Sequence, residues 1–397
     1  MDRKTFLKRA QQHIFSTGLN DSGCRLGLAN MKYGLAKIHW VQQEMGLEPN
    51  ATFISAPDMT ITRNTNRWKS GFGYGGKVRW GDGHLEMVIL DLKPNTCGML
   101  VGGLKSMPDG KDLIVRAHRL KNEVTHLDDV ELEWDLGKSN HFIDLFQVEP
   151  LVGQPFPPYA FVLHFAGGEM RSDGPWGEGI YWDFSPTLRR KARVFETPFG
   201  PLRVLTGEEA VEYYQSYRRA EAFSKRRRLL AADWLFGEYE LINNDTHQGL
   251  IGLNEMVLGS YIVEEDVDKV LPIALRPDMP AYLVRGKPNF RPEVVEILGF
   301  DKRARRLGVY EQLTSANIVP HGGGYVFPHI MNVLAVHEIE DERYFEVDLR
   351  NGQGREFITS IREIPYEYRG RQVVLRAVEL GMVKLVARLT PVYILKV

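Results

Sequence analysis

Between Glu208 and Trp234 the chain runs without one Gly or Pro and is rich in Ala, Glu, Arg and Leu, with Tyr213, Tyr214 and Tyr217 embedded. Strong helix formers without a breaker predict a single long helix near 208–235. The surrounding sequence has a different texture. From Thr52 to about Leu163, short β-like runs (Met87 to Leu90, Leu113-Ile114-Val115, Phe142 to Val148) are separated by Gly, Asp and Pro. Alternation in Tyr344 to Leu349 predicts a half-exposed strand, Arg371 to Leu380 a helix stopping at Gly381, and Pro391 to Leu395 a closing strand. These elements together give an α+β class with mixed sheets.

Residues 1–50 read as helical with Gly and Asn breaks, and the stretch Met31 to Gly46 ends in a Gly suited to a C-cap. An N-terminal helical segment, 1–50, is therefore expected ahead of one body spanning 51–397, a length ample for a sizeable core. No period of about 20–50 residues recurs, which argues against solenoids and propellers. Formal charge is −1, from 50 Lys+Arg against 51 Asp+Glu, so no global field draws the protein to nucleic acid or to an anionic membrane. A polyanion would have to be met by local basic clusters, of which 189–193, 225–228 and 302–306 are the candidates, with solvated surface as their ordinary explanation. The N-terminus lacks the apolar stretch of a signal peptide and no apolar run is long enough to span a bilayer, so a cytoplasmic protein without a membrane partner is expected. The only two cysteines, Cys24 and Cys97, cannot build a disulfide framework; in a reducing compartment such thiols are buried, catalytic or metal-bound.

No P-loop, HExxH or GxSxG is present, so the chemistry has to come from Cys and His. In Asp91-Leu92-Lys93-Pro94-Asn95-Thr96-Cys97-Gly98, an apolar run delivers a carboxylate and a turn then delivers a thiol. A thiolate can bridge two divalent ions and a carboxylate is a hard oxygen ligand, although a buried loop cysteine would read the same way. Asn140-His141-Phe142-Ile143-Asp144 opens a strand, and period-2 geometry puts Asn140, Phe142 and Asp144 on one face and His141 on the other. One face could read a base and the other hold a metal; an ordinary strand start is the alternative. His164 ends the buried-type run Tyr159 to Phe165 just before Gly167-Gly168, and a satisfied core histidine is its rival explanation. In Asn243 to Leu250, Asp245 or Thr246 can cap a helix with His247 in its first turn. His321-Gly322-Gly323-Gly324 sets an imidazole against glycines whose N–H groups can approach a phosphate, which suits a phosphoryl-transfer nucleophile.

Taken in order, these segments resemble one family, the RtcB-type RNA ligases, over most of the chain. Pro57-Asp58 with Gly71-Phe72-Gly73-Tyr74-Gly75-Gly76 is similar to the family's Pro-Asp and Gly-Tyr-Gly segment, and Cys97-Gly98 to its Asp-x-x-Cys-Gly turn. Asn140-His141-Phe142-x-Asp144 is similar to Asn-His-Phe-x-Glu, Leu163-His164 with Gly167-Gly168 to a His-Ser/Thr-Gly-Ser-Arg motif, and His247-Gln248 to a His-Asn pair. Pro320-His321-Gly322-Gly323-Gly324 resembles the His-Gly-Ala-Gly-Arg motif whose His carries GMP, and Lys384 to Pro391 with Lys396 resembles the Lys-Val-Ala-Arg-Leu-Arg-Pro ending.

The resemblance implies an RtcB-like fold around a central metal cleft and ligation of an RNA 3′-phosphate or 2′,3′-cyclic phosphate to a 5′-hydroxyl, using GTP and two Mn²⁺. It implies that Cys97 bridges the ions, that His141, His164 and His247 complete their coordination, and that His321 attacks the α-phosphate of GTP. Asn140, Phe142, Asp144, Gln248, Gly322, Gly323, Gly324 and Lys396 then line the nucleotide site. The family's acid three residues before the Cys is Pro94 here, so Asp91 is the expected replacement ligand; Tyr325 stands where the family has Arg. Two other classes remain: an RNA-binding relative without ligation, and a metal-dependent phosphoesterase. Oligomeric state is left open by the sequence.

Overall fold

The computed structural model describes residues 2–137, 140–153, 155–264, 267–340, 342–352 and 354–396. The long helix spans Glu208–Phe236 and buries Ala210, Tyr213, Tyr217, Ala220, Ser224, Arg227, Ala231 and Leu235, a ladder of three- and four-residue steps along one face. Glu208 and Glu209 suit its positive N-terminal end, and Gly237 at φ +70° closes it. At its C-terminal end, Phe236 stacks on Phe161 of the main sheet with ring centroids 3.8 Å apart.

That sheet has seven antiparallel strands in the order Glu240–Thr246, Gly98–Leu104, Tyr159–Phe165, Phe142–Pro150, Val383–Leu395, Ala281–Gly286, Val270–Ile273. Its two edge strands approach each other, so the sheet curls almost into a barrel. Alternation sorts the two faces. Met99, Val101, Ala160, Val162, Leu283, Ala387 and Leu389 form the inner cluster, while Leu100, Leu145, Phe161 and Leu163 join the core shared with the long helix. A five-stranded sheet, Ile14–Phe15, Thr52–Thr60, Tyr74–Arg79, Glu255–Leu258, Gln248–Gly252, stands beside it. A three-stranded sheet, Ile330–Ile339, Glu342–Leu349, Arg355–Ile358, packs over helix Ser22–Glu44. The α+β class with mixed sheets holds.

The closing strand begins earlier than its apolar end suggests, at Val383, and the last helix covers Gln372–Glu379. Residues 1–50 carry helices Arg3–Gln12 and Ser22–Glu44. They are also woven into the body: Ile14–Phe15 pairs in parallel with the Thr52–Thr60 strand, and most of Ser22–Glu44 is buried. Leu113-Ile114-Val115 is not a strand. It lies in helix Gly110–Glu123, where the Asp109 carboxylate accepts from the backbone N–H groups of Lys111 and Asp112. Leu113, Ala117 and Leu120 point inward while Ile114 and Val115 stay exposed, so helical spacing overrides a locally β-branched run.

Among the described residues, no helix is long and apolar enough to cross a membrane. Of the basic clusters, Lys225 to Arg228 is largely structural: Arg227 and Arg228 are fully buried, Arg226 pairs with Asp128, and Lys225 with Glu221 and Asp245.

Candidate metal centre and adjoining cavity

Two sheets meet at one residue. The strand Glu240–Thr246 belongs to the seven-stranded sheet and Gln248–Gly252 to the five-stranded one, so His247 is the pivot between them and not the first turn of a helix. Its N–H donates to the Cys97 carbonyl at 3.0 Å and its own carbonyl accepts from the Ser260 N–H at 2.8 Å. Backbone pairing on both sides drives the imidazole into the protein. The ring is fully buried, and its nitrogens have no hydrogen-bond partner other than the Cys97 sulfur among the described residues. Burial first, then the neighbouring His321, pushes its pKa down to about 3, so the ring is neutral and carries a free lone pair.

Cys97 arrives from the other side. Lys93 takes a left-handed φ of +54° ahead of Pro94, and the Asn95 side chain accepts from the Cys97 N–H at 2.9 Å, which turns the thiol inward just before strand Gly98–Leu104 begins. The neighbouring strand supplies His164, whose Nε2 lies 3.1 Å from Cys97 Sγ and whose Nδ1 lies 2.9 Å from the Asn140 carbonyl oxygen. A carbonyl only accepts, so Nδ1 carries a proton and Nε2 is the nitrogen that faces the sulfur. Burial alone would push the Cys97 thiol up. The imidazoles of His164 and His247, with hydrogen bonds from His141 and His164, outweigh it and hold the thiol well below its ordinary range.

One nitrogen from each of His164 and His247 and the Cys97 sulfur all lie within 4.8 Å of one another. A thiolate, a pre-oriented imidazole and an imidazole with no other partner fit a borderline-soft divalent ion, and the Asn140 carbonyl is the kind of outer hydrogen bond that fixes a ligating ring. This buried Cys/His/His group could hold a metal ion.

His141 lies against the same sulfur but outside that group. It precedes strand Phe142–Pro150, so strand alternation does not govern it; its Nδ1 turns to Asp135 Oδ2 at 2.8 Å and its ring hydrogen-bonds Cys97. Asp135 in turn is held by the buried Arg227 at 3.2 Å. Burial opposes the charged ring, but Asp135 and the Cys97 sulfur prevail and raise its pKa to about 10.

Asp91 does not reach the centre. It lies in a single 3₁₀ turn, Leu90–Leu92, that aims its carboxylate at strand Gly200–Thr206. There it accepts from the Arg203 N–H at 2.5 Å, from Arg203 Nη1 at 3.1 Å and from Ser70 Oγ at 3.2 Å. Six residues separate it from Cys97, but the turn and the left-handed Lys93 send the two side chains in different directions.

Beside the metal group opens a cavity of about 370 Å³, within the range of small-ligand sites, and it collects every residue expected at the nucleotide position together with His164 and His321. Phe142 and Asp144 face inward from the sheet, directly opposite His164 and Val162 in the register. Lys396 Nζ donates to the His141 carbonyl at 2.8 Å and sits 5.7 Å from the Phe142 ring centre. Burial raises the Asp144 carboxyl to about 7 against the pull of Lys396. Gln248, in the amide orientation that satisfies both ends, donates to the Tyr74 phenol at 3.0 Å and accepts from Arg67.

His321 follows strand Ile318–Pro320, with its ring centre 4.4 Å from that of His247. Its Nδ1 and its backbone N–H both lie against Asp58 Oδ2, at 2.9 and 3.2 Å. A carboxylate on Nδ1 leaves Nε2 as the reactive nitrogen. The following glycines serve close packing as well as phosphate access. A side chain on Gly322 would meet the Ala274 carbonyl at 2.8 Å, one on Gly323 the Arg369 carbonyl at 2.4 Å, and the Gly323 N–H already donates to Ala274 O. Tyr325 turns into an aromatic cluster with Tyr366 and Tyr368, at 4.9 and 5.2 Å.

Four residues that support the site were given no role in it by the sequence: Asp58, quoted in a motif, Arg228, counted only in a basic cluster, and Asp135 and Arg67. Their only sequence signal is their residue type, because each acts from an element remote from Cys97 in the chain.

No family model matches the sequence, and a search of curated proteins finds no significant match.

Proposed function

We propose that the protein is a divergent RtcB-like, GTP-dependent RNA ligase of the cytoplasm that works through a histidine–GMP intermediate. The observation that carries this reading is the Asp58-backed His321, set on the wall of the cavity that gathers Asn140, Phe142, Asp144, Gln248 and Lys396 beside the Cys/His/His group. In this reading the α-phosphate of GTP comes to rest at His321. The Nε2 lone pair attacks phosphorus, an N–P bond forms, and the bond to pyrophosphate breaks. Asp58 keeps the proton on Nδ1 throughout and steadies the positive ring that develops, as a carboxylate does for an attacking imidazole. Phe142 offers a face for the base and Asp144 acceptors for its edge, while Lys396 meets negative charge at the rim. A divalent ion, Mn²⁺ in the family resembled, would bind at Cys97, His164 and His247 and polarise the phosphate. An RNA 3′-phosphate then takes the GMP from His321, freeing the ring, and the 5′-hydroxyl attacks that activated 3′-phosphate and releases GMP.

The test is incubation with α-labelled GTP and Mn²⁺ followed by a denaturing gel. Wild type should carry an acid-labile, alkali-stable label and His321→Ala none. Absence of an adduct in wild type with any divalent metal would sink the ligase and leave the RNA-binding relative in its place, with the metal-dependent phosphoesterase as the other rival, neither of which needs a covalent histidine.

A further inference from the structure

We propose that this centre holds one divalent ion, and that the buried guanidinium of Arg67 supplies a fixed positive charge beside the Cys97 loop in place of a second. The inference rests on the proposed reading only for its reference point, a two-ion centre; the geometry behind it belongs to this chain alone.

A second ion sharing the Cys97 sulfur needs hard ligands of its own. Pro94 offers no side-chain donor, both Asp91 oxygens are taken by Arg203 and Ser70, and His141, which touches the Cys97 sulfur, turns its Nδ1 to Asp135 at 2.8 Å. Among the described residues, the group with ligand spacing stops at Cys97, His164 and His247.

A buried cation stands by this loop instead. Helix Thr65–Ser70, between Asp58 and the Gly71 to Gly76 turn, sends Arg67 beneath the loop that leads from Asp91 to Cys97. Its Nε donates to Leu92 O at 2.8 Å and its Nη2 to Lys93 O at 2.7 Å, so the guanidinium grips the backbone of the very turn that would have carried the acid. Nη1 donates to Thr62 Oγ1 at 3.2 Å, and Gln248 accepts from the remaining edge. Each of these acceptors is neutral. The charge therefore meets no carboxylate at hydrogen-bonding distance, and its field falls on Tyr181, Tyr74 and the Cys97 sulfur and on the cavity that Arg67 lines. Arg228 holds the opposite side of the Cys97 loop through Thr96 O and Phe165 O, both at 3.2 Å, with its Nη2 buried and unpartnered among the described residues. Two enclosed guanidiniums beside one thiolate leave little electrostatic room for two divalent ions, yet provide a positive wall for a phosphate without further metal. Arg67 is in this sense a positioning residue: it holds Gln248 and sets the field, with every N–H already engaged.

The experiment loads the full-length protein with Mn²⁺ alone and reads bound metal per chain by elemental analysis and by electron paramagnetic resonance. One equivalent with the six-line spectrum of an isolated ion is expected. Arg67→Lys, which keeps the charge, should stay at one equivalent, and Arg67→Glu, which replaces the cation with a carboxylate, should take up a second. Two equivalents in wild type, or the broadened spectrum of an exchange-coupled pair, would overturn the proposal while leaving the His321 reading intact. No bound Mn²⁺ at saturation would overturn it together with the metal centre. One equivalent in a protein that never labels with GTP would uphold it and sink the ligase. Should the buried variants fail to fold, the wild-type count and spectrum still decide.

Discussion

Asp91 and His247 are both buried polar groups within reach of the Cys97 loop, and they are treated in opposite ways by the fold. Both oxygens of Asp91 are bonded, to Arg203 and Ser70, whereas the nitrogens of His247 meet no partner but the Cys97 sulfur among the described residues. A buried polar atom without a hydrogen bond costs about 1–3 kcal/mol, a cost that a bound ion at the Cys97 group would relieve. The contrast separates groups that hold the structure from groups that await a ligand. Asp144 Oδ1, on the cavity wall and also unpartnered among the described residues, falls on the waiting side.

Substitution should split the two regions cleanly. The largest effect belongs to the metal group: Cys97→Ala or His247→Ala should lower Mn²⁺ affinity by a hundredfold or more, because one of three ligands disappears, while the denaturation midpoint of the metal-free protein moves little. Equilibrium dialysis paired with urea unfolding reads both. Equal loss of stability in these variants would mean that the imidazole is ordinary core. Asp91→Ala should do the reverse. Removing one partner of a buried pair costs about 3 kcal/mol where Arg203 keeps some access to water, with Mn²⁺ stoichiometry unchanged. A drop in bound metal in that variant would return Asp91 to the centre.

The same contrast explains what could be read from the sequence. The helix Glu208–Phe236 was legible because a breaker-free run of helix formers needs no tertiary help, and the Cys97, His164, His247 and His321 positions because thiols and imidazoles beside glycines or strand ends are chemically loud. Leu113 to Val115 misled because three consecutive apolar residues carry no period; the Asp109 cap and the inward Leu113, Ala117, Leu120 line decide the matter. The Asp91 expectation followed sequence distance from Cys97, which a left-handed residue at Lys93 makes meaningless. Arg67 and Asp135 were invisible for another reason. A single charged residue in a loop or short helix looks like solvated surface until distant backbone carbonyls, here those of Leu92 and Lys93, or a buried partner such as Arg227, close around it.

The smallest expected effect tests the waiting side without removing any ligand. Burial raises Asp144 to about 7, with Lys396 pulling the other way, so between pH 6 and pH 8 its carboxyl passes from mostly protonated to mostly ionised. The sign for stability follows from proton counts. The folded state holds a proton that the unfolded chain has already released between roughly pH 4 and 7, so this group's contribution to stability declines as pH rises through that window. The sign for binding is opposite. The edge of guanine offers two N–H donors side by side, which a carboxylate accepts and a protonated carboxyl accepts only in part. GTP affinity should therefore rise by up to about tenfold from pH 6 to pH 8, in step with the ionised fraction. Adenine presents an acceptor beside its donor and suits the protonated acid, so ATP affinity should stay flat or fall over the same range. Asp144→Asn should flatten the GTP profile, matching wild type at pH 6 and falling about tenfold behind it at pH 8. Titration calorimetry with both nucleotides at the two pH values reads all of this, and parallel GTP and ATP profiles would show that Asp144 shapes the cavity without reading the base.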